Sequence, residues 1–278
     1  MIKIFHHNDA DGYAAAWAAV KHIKEQGSAI GKKKEYECIE VKYGDSVVSH
    51  IDNKDSVMIL DFSVLPDEMD KILDKTSDVI WIDHHQSVIE KYENYSKHIE
   101  GVRKNGVAAC VLTWNYFFPT KALPHFIELI ADYDVWILAF EHTMAFQAYL
   151  YSDELSPVEE WGSFVDQDNL DTAIKHGYYI KSLDERKNKV LIDKHSYKAT
   201  WGSCNILAVN TSLRGSPIFG DKIKDYDFVA VYSHDGEKFT CSLYSDKMKC
   251  VEYAKLMGGG GHDRACGFQC KELPWTVS

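Results

Sequence analysis

The sequence predicts an α/β fold: a parallel-sheet N-terminal domain, a helical linker, and a smaller mixed α/β C-terminal domain. Three observations predict it. Short, nearly continuous apolar runs alternate with helix-like stretches through the first half of the 278 residues. A charged, helix-patterned segment follows between residues 167 and 198. Beyond it, three strand-like runs lead into a glycine-rich segment.

Taken in order, residues 2–6 read as a short buried strand and residues 12–24 as an Ala-rich helix with apolar positions at helical spacing. Residues 37–41 are strand-like, and residues 57–62 are an almost unbroken apolar run ending in Asp61 and Phe62. A helix is expected over 66–73, another buried strand over 78–83, and helices over 106–117 and 123–131. Continuous apolar strands separated by helices imply a parallel sheet covered on both faces. Strands are then expected near residues 206–210, 228–232 and 239–243. The domain boundaries that follow are 1–166, 167–199 and 200–278.

Composition excludes several classes. With 45% hydrophobic residues, seven Trp and sixteen Tyr, the chain has material for a core and is not disordered. No run of about 18 apolar residues marks a membrane span, and the polar break at His6-His7 leaves no signal-peptide core. The seven cysteines, at 38, 110, 204, 241, 250, 266 and 270, lack paired CxxC spacing, so reduced thiols and a cytoplasmic location are expected.

The net charge of −11 comes from 31 basic and 42 acidic residues. Residues 201–278 hold 9 of each, which leaves 22 basic and 33 acidic in the first 200. A long nucleic acid would need a basic stripe to neutralise many phosphates. A small phosphorylated substrate needs few contacts, and metal ions can supply local positive charge.

Four acidic or histidine-bearing segments fall at ends of expected elements: His7-Asn8-Asp9-Ala10-Asp11-Gly12, Asp61, Asp83-His84-His85, and Asp132-Tyr133-Asp134. In an open parallel sheet, loops at the carboxyl ends of strands converge on one crevice. Alternating positions 7, 9 and 11 in an extended stretch would point to one side, with Gly12 letting the backbone turn into the helix. Carboxylates gathered this way repel unless cations lie between them. Two divalent ions bridged by one carboxylate resolve the repulsion, and mixed carboxylate and imidazole donors suit manganese or another first-row ion over calcium.

This ordered set resembles the DHH phosphoesterase superfamily, whose Asp-His-His segment is present as Asp83-His84-His85. HNDADG at 7–12, Asp61 and Asp132 are similar to its first, second and fourth motifs. The segment from Gly258 to Phe268, with Gly259, Gly260, Gly261, His262 and Arg264, is similar to its associated C-terminal domain. The resemblance spans nearly the whole chain. It implies an active site in the cleft between the two domains and two metal ions, Mn²⁺ first and Mg²⁺ or Co²⁺ as alternatives. One ion would be held by His7, Asp9 and Asp61, the other by Asp11, Asp61, His84 and Asp132, with Asp134 as the alternative to Asp132.

The resemblance also implies an accessory role for Asp83, phosphate contact by His85, and substrate contacts from Gly259 through His262. The family's Ser-Leu-Arg-Ser stretch reads Ser242-Leu243-Tyr244-Ser245 here, and Arg264 is the candidate to replace the missing guanidinium. The activity implied is hydrolysis, assisted by two metals, of short oligonucleotides (nanoRNA, dinucleotides) to mononucleotides, as in the nanoRNase branch. A nucleotide phosphatase acting on 3′-phosphoadenosine 5′-phosphate, or a cyclic-dinucleotide phosphodiesterase, is the alternative. Further alternatives are a RecJ-like exonuclease and a non-catalytic nucleotide-binding module. The partners expected are the oligonucleotide or small nucleotide substrate and, as an open option, a second copy of the chain.

Overall fold

The computed structural model describes residues 1–213 and 215–278 and divides into two units, residues 1–180 and 181–278. In the first unit, β1 (Ile2–His7) runs into α1 (Ala10–Ala29), and β2 (Tyr36–Val41), β3 (Ser56–Leu60) and β4 (Val79–Ile82) complete a sheet of order β2-β1-β3-β4. Every pairing in it is parallel.

Successive strand residues turn to opposite faces. Ile4, Met58, Leu60 and Ile82 enter one core, while Phe5, Val57, Ile59 and Trp81 enter the other. The second core is closed by Met69 and Ile72 of α2 (Pro66–Lys75). Because both faces are buried, the strands need apolar residues at nearly every position.

The first core is built on α1. Five of its alanines, Ala14, Ala15, Ala16, Ala18 and Ala19, are fully buried. After the short α3 (Gln86–Ile89), α4 (Ala109–Phe117), α5 (His125–Asp134) and α6 (Thr143–Leu150) contribute Trp114, Phe126 and Phe146 to the same core. The eight residues of α6 were not expected from the sequence, being too short for a 3.6-residue pattern to show.

Gly12 has a different role from the one expected. It lies inside α1, and a Cβ there would sit 2.4 Å from the carbonyl oxygen of His7. It permits close helix–strand approach rather than a turn. The 7–9–11 alternation also stops early: Asp9 is the extended N-cap of α1, and Asp11 is already helical.

α7 (Gln167–His195) crosses from the first unit into the second. There β5 (Ser196–Trp201), β6 (Cys204–Asn210), β7 (Phe228–His234) and β8 (Phe239–Tyr244) are followed by α8 (Val251–Leu256), β9 (Gly260–His262), β10 (Ala265–Cys270) and β11 (Thr276–Val277). The sheet order is β11-β5-β6-β7-β8-β10-β9, antiparallel except for β6–β7. The sheet therefore starts at Ser196, inside the segment read as linker.

One face of this sheet packs Ile206, Ala208 and Phe228 with Val251 and Ala254 of α8. The other packs Leu207, Val209 and Val231 with Ile192 of α7. Among the described residues no helix is long and apolar enough to cross a membrane.

Candidate metal centre

The carboxyl ends of β1, β3 and β4 bring His7, Asp61 and Asp83 to one edge of the parallel sheet, as the topology requires. Asp9 caps α1 by accepting from the Gly12 N–H at 3.0 Å, and its other oxygen takes His7 Nδ1 at 2.6 Å. Asp11, buried in the first turn of α1, accepts from the amides of Ala109 (2.7 Å) and Cys110 (2.8 Å). α4 therefore starts at Ala109 rather than at 106, its first N–H groups being satisfied by a carboxylate from another helix.

Asp61 stands at the centre. It is 1% exposed and adopts a left-handed φ of 55°, a conformation that costs a non-glycine residue energy and clusters at functional positions. Its Oδ2 lies 3.9 Å from His7 Nδ1 and its Oδ1 3.2 Å from His84 Nε2. Neither buried oxygen has a hydrogen-bond partner among the described residues. His84 Nε2 also lies 3.7 Å from Asp11 Oδ2 and 3.5 Å from Asp134 Oδ2, and that Asp134 oxygen is likewise buried without a hydrogen bond.

Burial, reinforced by the charges of Asp11, Asp9 and Asp134, pushes the Asp61 carboxyl well above its ordinary range. Burial and the same Asp11 and Asp9 charges push Asp134 up to about 9. Asp9 goes the other way: burial opposes ionisation, but His7 and the Gly12 amide hold it at about 2.

A buried carboxylate with no donor costs several kcal/mol unless a cation or proton meets it. Among the described residues, three groups of donor atoms are close enough to hold an ion: His7, Asp9 and Asp61; Asp11, His84 and Asp134; and Asp61, His84 and His85. Oxygen and nitrogen donors on unpartnered carboxylates fit a divalent first-row cation.

Asp83 has no exposed surface and belongs to the support of the cluster. Its Oδ1 accepts from the amides of His84 (2.8 Å) and His85 (3.3 Å) and takes His85 Nδ1 at 2.7 Å, while its Oδ2 accepts from the Ser63 hydroxyl at 2.8 Å. It thus orients both histidines. Burial alone would lower the His85 pKa, but the Asp83 hydrogen bond raises it. Burial lowers that of His84, favouring the neutral imidazole a metal ligand needs.

Asp132 is a correction. Expected as the fourth-motif ligand, it lies in none of the donor groups. Its carboxylate accepts from Ala139 N (2.8 Å), Phe140 N (3.1 Å) and the Thr143 hydroxyl, stapling the chain after α5. Burial pushes its pKa up, but these donors hold it below the usual range. Asp134, two residues on, is the acid that joins Asp11 and His84 in a donor group. Both are acids at the end of one helix, so spacing alone could not separate them.

Asp132→Ala is therefore expected to lower stability by about 2 kcal/mol by orphaning buried donors, measured by urea unfolding with chelator present. Asp134→Ala should leave that metal-free stability unchanged or higher and weaken cation binding. Loss of a bound ion from the Asp132 variant, with an unchanged unfolding curve, would reverse the two assignments.

Tyr43 went unnoticed in the sequence. Its ring lies 5.3 Å from that of His7 and 6.1 Å from that of His85. Nothing in the stretch Lys42-Tyr43-Gly44 signals this, because only the fold carries the loop after β2 to the cluster. A groove of about 420 Å³ at the far end of α1, lined by Lys24, Lys32, Lys34 and Tyr36, contains none of these donors.

In the second unit Gly259 and Gly261 are required by packing. A Cβ on Gly259 would lie 2.1 Å from the Gly267 oxygen, and one on Gly261 2.7 Å from the Cys266 Cα. His262 ends β9, and His262 and Arg264 are exposed.

A parallel sheet whose strand ends converge on an Asp/His cluster is the arrangement the resemblance to the DHH type implies. Residues 1–132 match the DHH family, N-terminal domain. The chain is 25% identical to an uncharacterized protein of Acanthamoeba polyphaga mimivirus, over 96% of this chain and 66% of that one. It is 22% identical to oligoribonuclease NrnB of Bacillus subtilis, over 96% of this chain and 72% of that one.

Among solved structures, the DHH domain of a member of a ribosomal-protein family superposes with a TM-score of 0.63 at 13% identity, covering 96% of this chain and 82% of that one. A pGpG-specific phosphodiesterase from Vibrio cholerae gives 0.56 at 13%, covering 98% and 94%. Exonuclease RecJ bound to manganese gives 0.53 at 12%, covering 96% and 85%. At these identities the structural likenesses show the shared fold.

Proposed function

We propose that this protein hydrolyses the phosphodiester bonds of short oligonucleotides, dinucleotides above all, to mononucleotides, using two divalent ions with manganese preferred. The observation that carries the reading is Asp61, whose two buried oxygens lack hydrogen bonds and face different imidazoles, His7 and His84. His7, Asp9 and Asp61 would hold one ion and Asp11, Asp61, His84 and Asp134 the other. Bound there, the ions supply positive charge to the phosphate oxygens and acidify water.

The chain's own groups do the rest. Asp83 accepts from His85 Nδ1–H, so in the imidazolium form Nε2–H is left to donate to a non-bridging phosphate oxygen or to the departing alkoxide. In the second unit His262 and Arg264, both exposed, are the proposed phosphate contacts, with Gly260 open enough for a close backbone approach.

Short substrates are favoured by charge and by kinship. The first 200 residues carry 22 basic against 33 acidic groups, so a long phosphate backbone gains little attraction there. The relatives' names point the same way, one an oligoribonuclease and one a pGpG-specific phosphodiesterase.

The test is a manganese-dependent turnover panel: dinucleotides, five-mers, a 24-mer and 3′-phosphoadenosine 5′-phosphate at near-physiological salt. kcat/KM is expected to fall at least about tenfold, or ~1.4 kcal/mol, from dimer to 24-mer. A 24-mer degraded as well as the dimer would instead establish a processive exonuclease, and hydrolysis of the 3′-phosphate alone a nucleotide phosphatase.

A further inference from the structure

The donor cluster has two ends: an exposed aromatic side chain packs at one, and another follows two residues after the acid that closes the other. From His7 and Asp9 the cluster runs through Asp61 and His84 to Asp134. At the first end Tyr43 packs against His7 and Phe62 with ring centroids 5.3 and 5.7 Å apart, yet remains 60% exposed.

At the second end Trp136 follows Asp134 by two residues and is 51% exposed. It lies 5.3 Å, edge to face, from Tyr133. Tyr151, half exposed, also reaches the cluster: its hydroxyl accepts from the amide of Ala10, between Asp9 and Asp11, at 2.9 Å.

The second end is also held against its own preference. Trp136 and Leu138 both have a φ of 54°, and the Asp132 carboxylate and carbonyl bind the four amides from Ile137 to Phe140. A bulky residue in the left-handed region is costly. The staple thus holds Trp136 and Ile137 in a segment where both remain exposed.

We propose that Tyr43 and Trp136 are nucleobase platforms, one on each side of the scissile phosphodiester. The proposal rests on the phosphodiesterase reading. A dinucleotide presents one base on either side of its single phosphodiester, and a phosphate seated at the cluster would send its bases toward the two ends. Aromatic faces accept any base, so the platforms would hold short substrates without reading their sequence. They also give substrates of only two nucleotides an apolar grip that the acidic surroundings cannot supply by charge.

The test compares Tyr43→Ala, Trp136→Ala and Trp136→Phe with the wild type in two measurements, after unfolding curves confirm that each variant folds. The first is manganese-dependent kcat/KM on a dinucleotide. The second is calorimetric binding of a nucleoside 5′-monophosphate against ribose 5-phosphate, which needs no turnover. Each alanine variant is expected to lose about tenfold in kcat/KM, mainly through KM, within the range for removing one base–aromatic stack. Each should also lose affinity for the mononucleotide, leave that for ribose 5-phosphate unchanged, and, at position 136, be largely rescued by Phe.

Unchanged kinetics and an unchanged mononucleotide preference would overturn the proposal. So would an equal loss for ribose 5-phosphate, which would mean a distorted cluster. If the wild type cleaves no dinucleotide but base-dependent binding still vanishes in the variants, the hydrolytic reading fails and the platforms stand.

Discussion

Asp61→Asn is expected to reduce turnover on the order of a thousandfold, about 4 kcal/mol of barrier, while making the metal-free protein more stable than the wild type. Both effects follow from one buried carboxylate. Its oxygens are without hydrogen bonds and its neighbours are the carboxylates of Asp11, Asp9 and Asp134, so with chelator present its charge is opposed and unpaid. A neutral amide of the same shape removes that repulsion. Asn also tolerates the left-handed backbone found at this position better than most residues.

A gain of about 1–2 kcal/mol in chelator is the expected size for relieving a partly compensated buried charge. With manganese the order should invert. An ion at a hundred times its dissociation constant adds about 2.7 kcal/mol to the folded state, and the variant should gain much less. Thermal unfolding with chelator and with manganese reads both states. A variant less stable than the wild type in chelator, or one stabilised as much by manganese, would show that Asp61 does not bridge cations.

The second large effect separates adjacent histidines. His84→Ala should empty one ion site, because Nε2 lies within 3.7 Å of carboxylate oxygens of Asp11, Asp61 and Asp134. His85→Ala should keep metal content near normal and lower kcat by roughly a hundredfold, the scale of one charge-stabilising or acid–base group. Its Nδ1 is committed to Asp83 at 2.7 Å, and its reach to Asp61 is 4.0 Å. Metal analysis beside kinetics decides the matter. Equal loss of metal in both variants would place His85 among the ligands, as its inclusion in one donor group with Asp61 and His84 allows.

Much of this protein was legible before any coordinates. Apolar runs at residues 57–62 and 78–83 can only be strands buried on both faces, and that burial implies a parallel sheet. Once the sheet is parallel, the ends of β1, β3 and β4 must converge, so His7, Asp61 and His84 meet for topological reasons. Residue chemistry then demands cations.

What the sequence left open were choices between chemically similar groups a turn apart, and contacts made by loops. Asp132 and Asp134 are both acids at the end of α5. Only the path of the following chain, whose amides point back at Asp132, turns one into a staple and leaves the other facing His84. Asp11 carries a second task, satisfying the first amides of α4 from 98 residues away, that no local pattern announces. Tyr43 is an exposed aromatic in a loop, where neither period nor motif marks it, and its place beside the cluster exists only in three dimensions. Periodicity and residue type determine which elements form and what chemistry they carry. Which of two equivalent side chains faces the centre depends on how each chain end is tied down, a property of tertiary hydrogen bonds and packing.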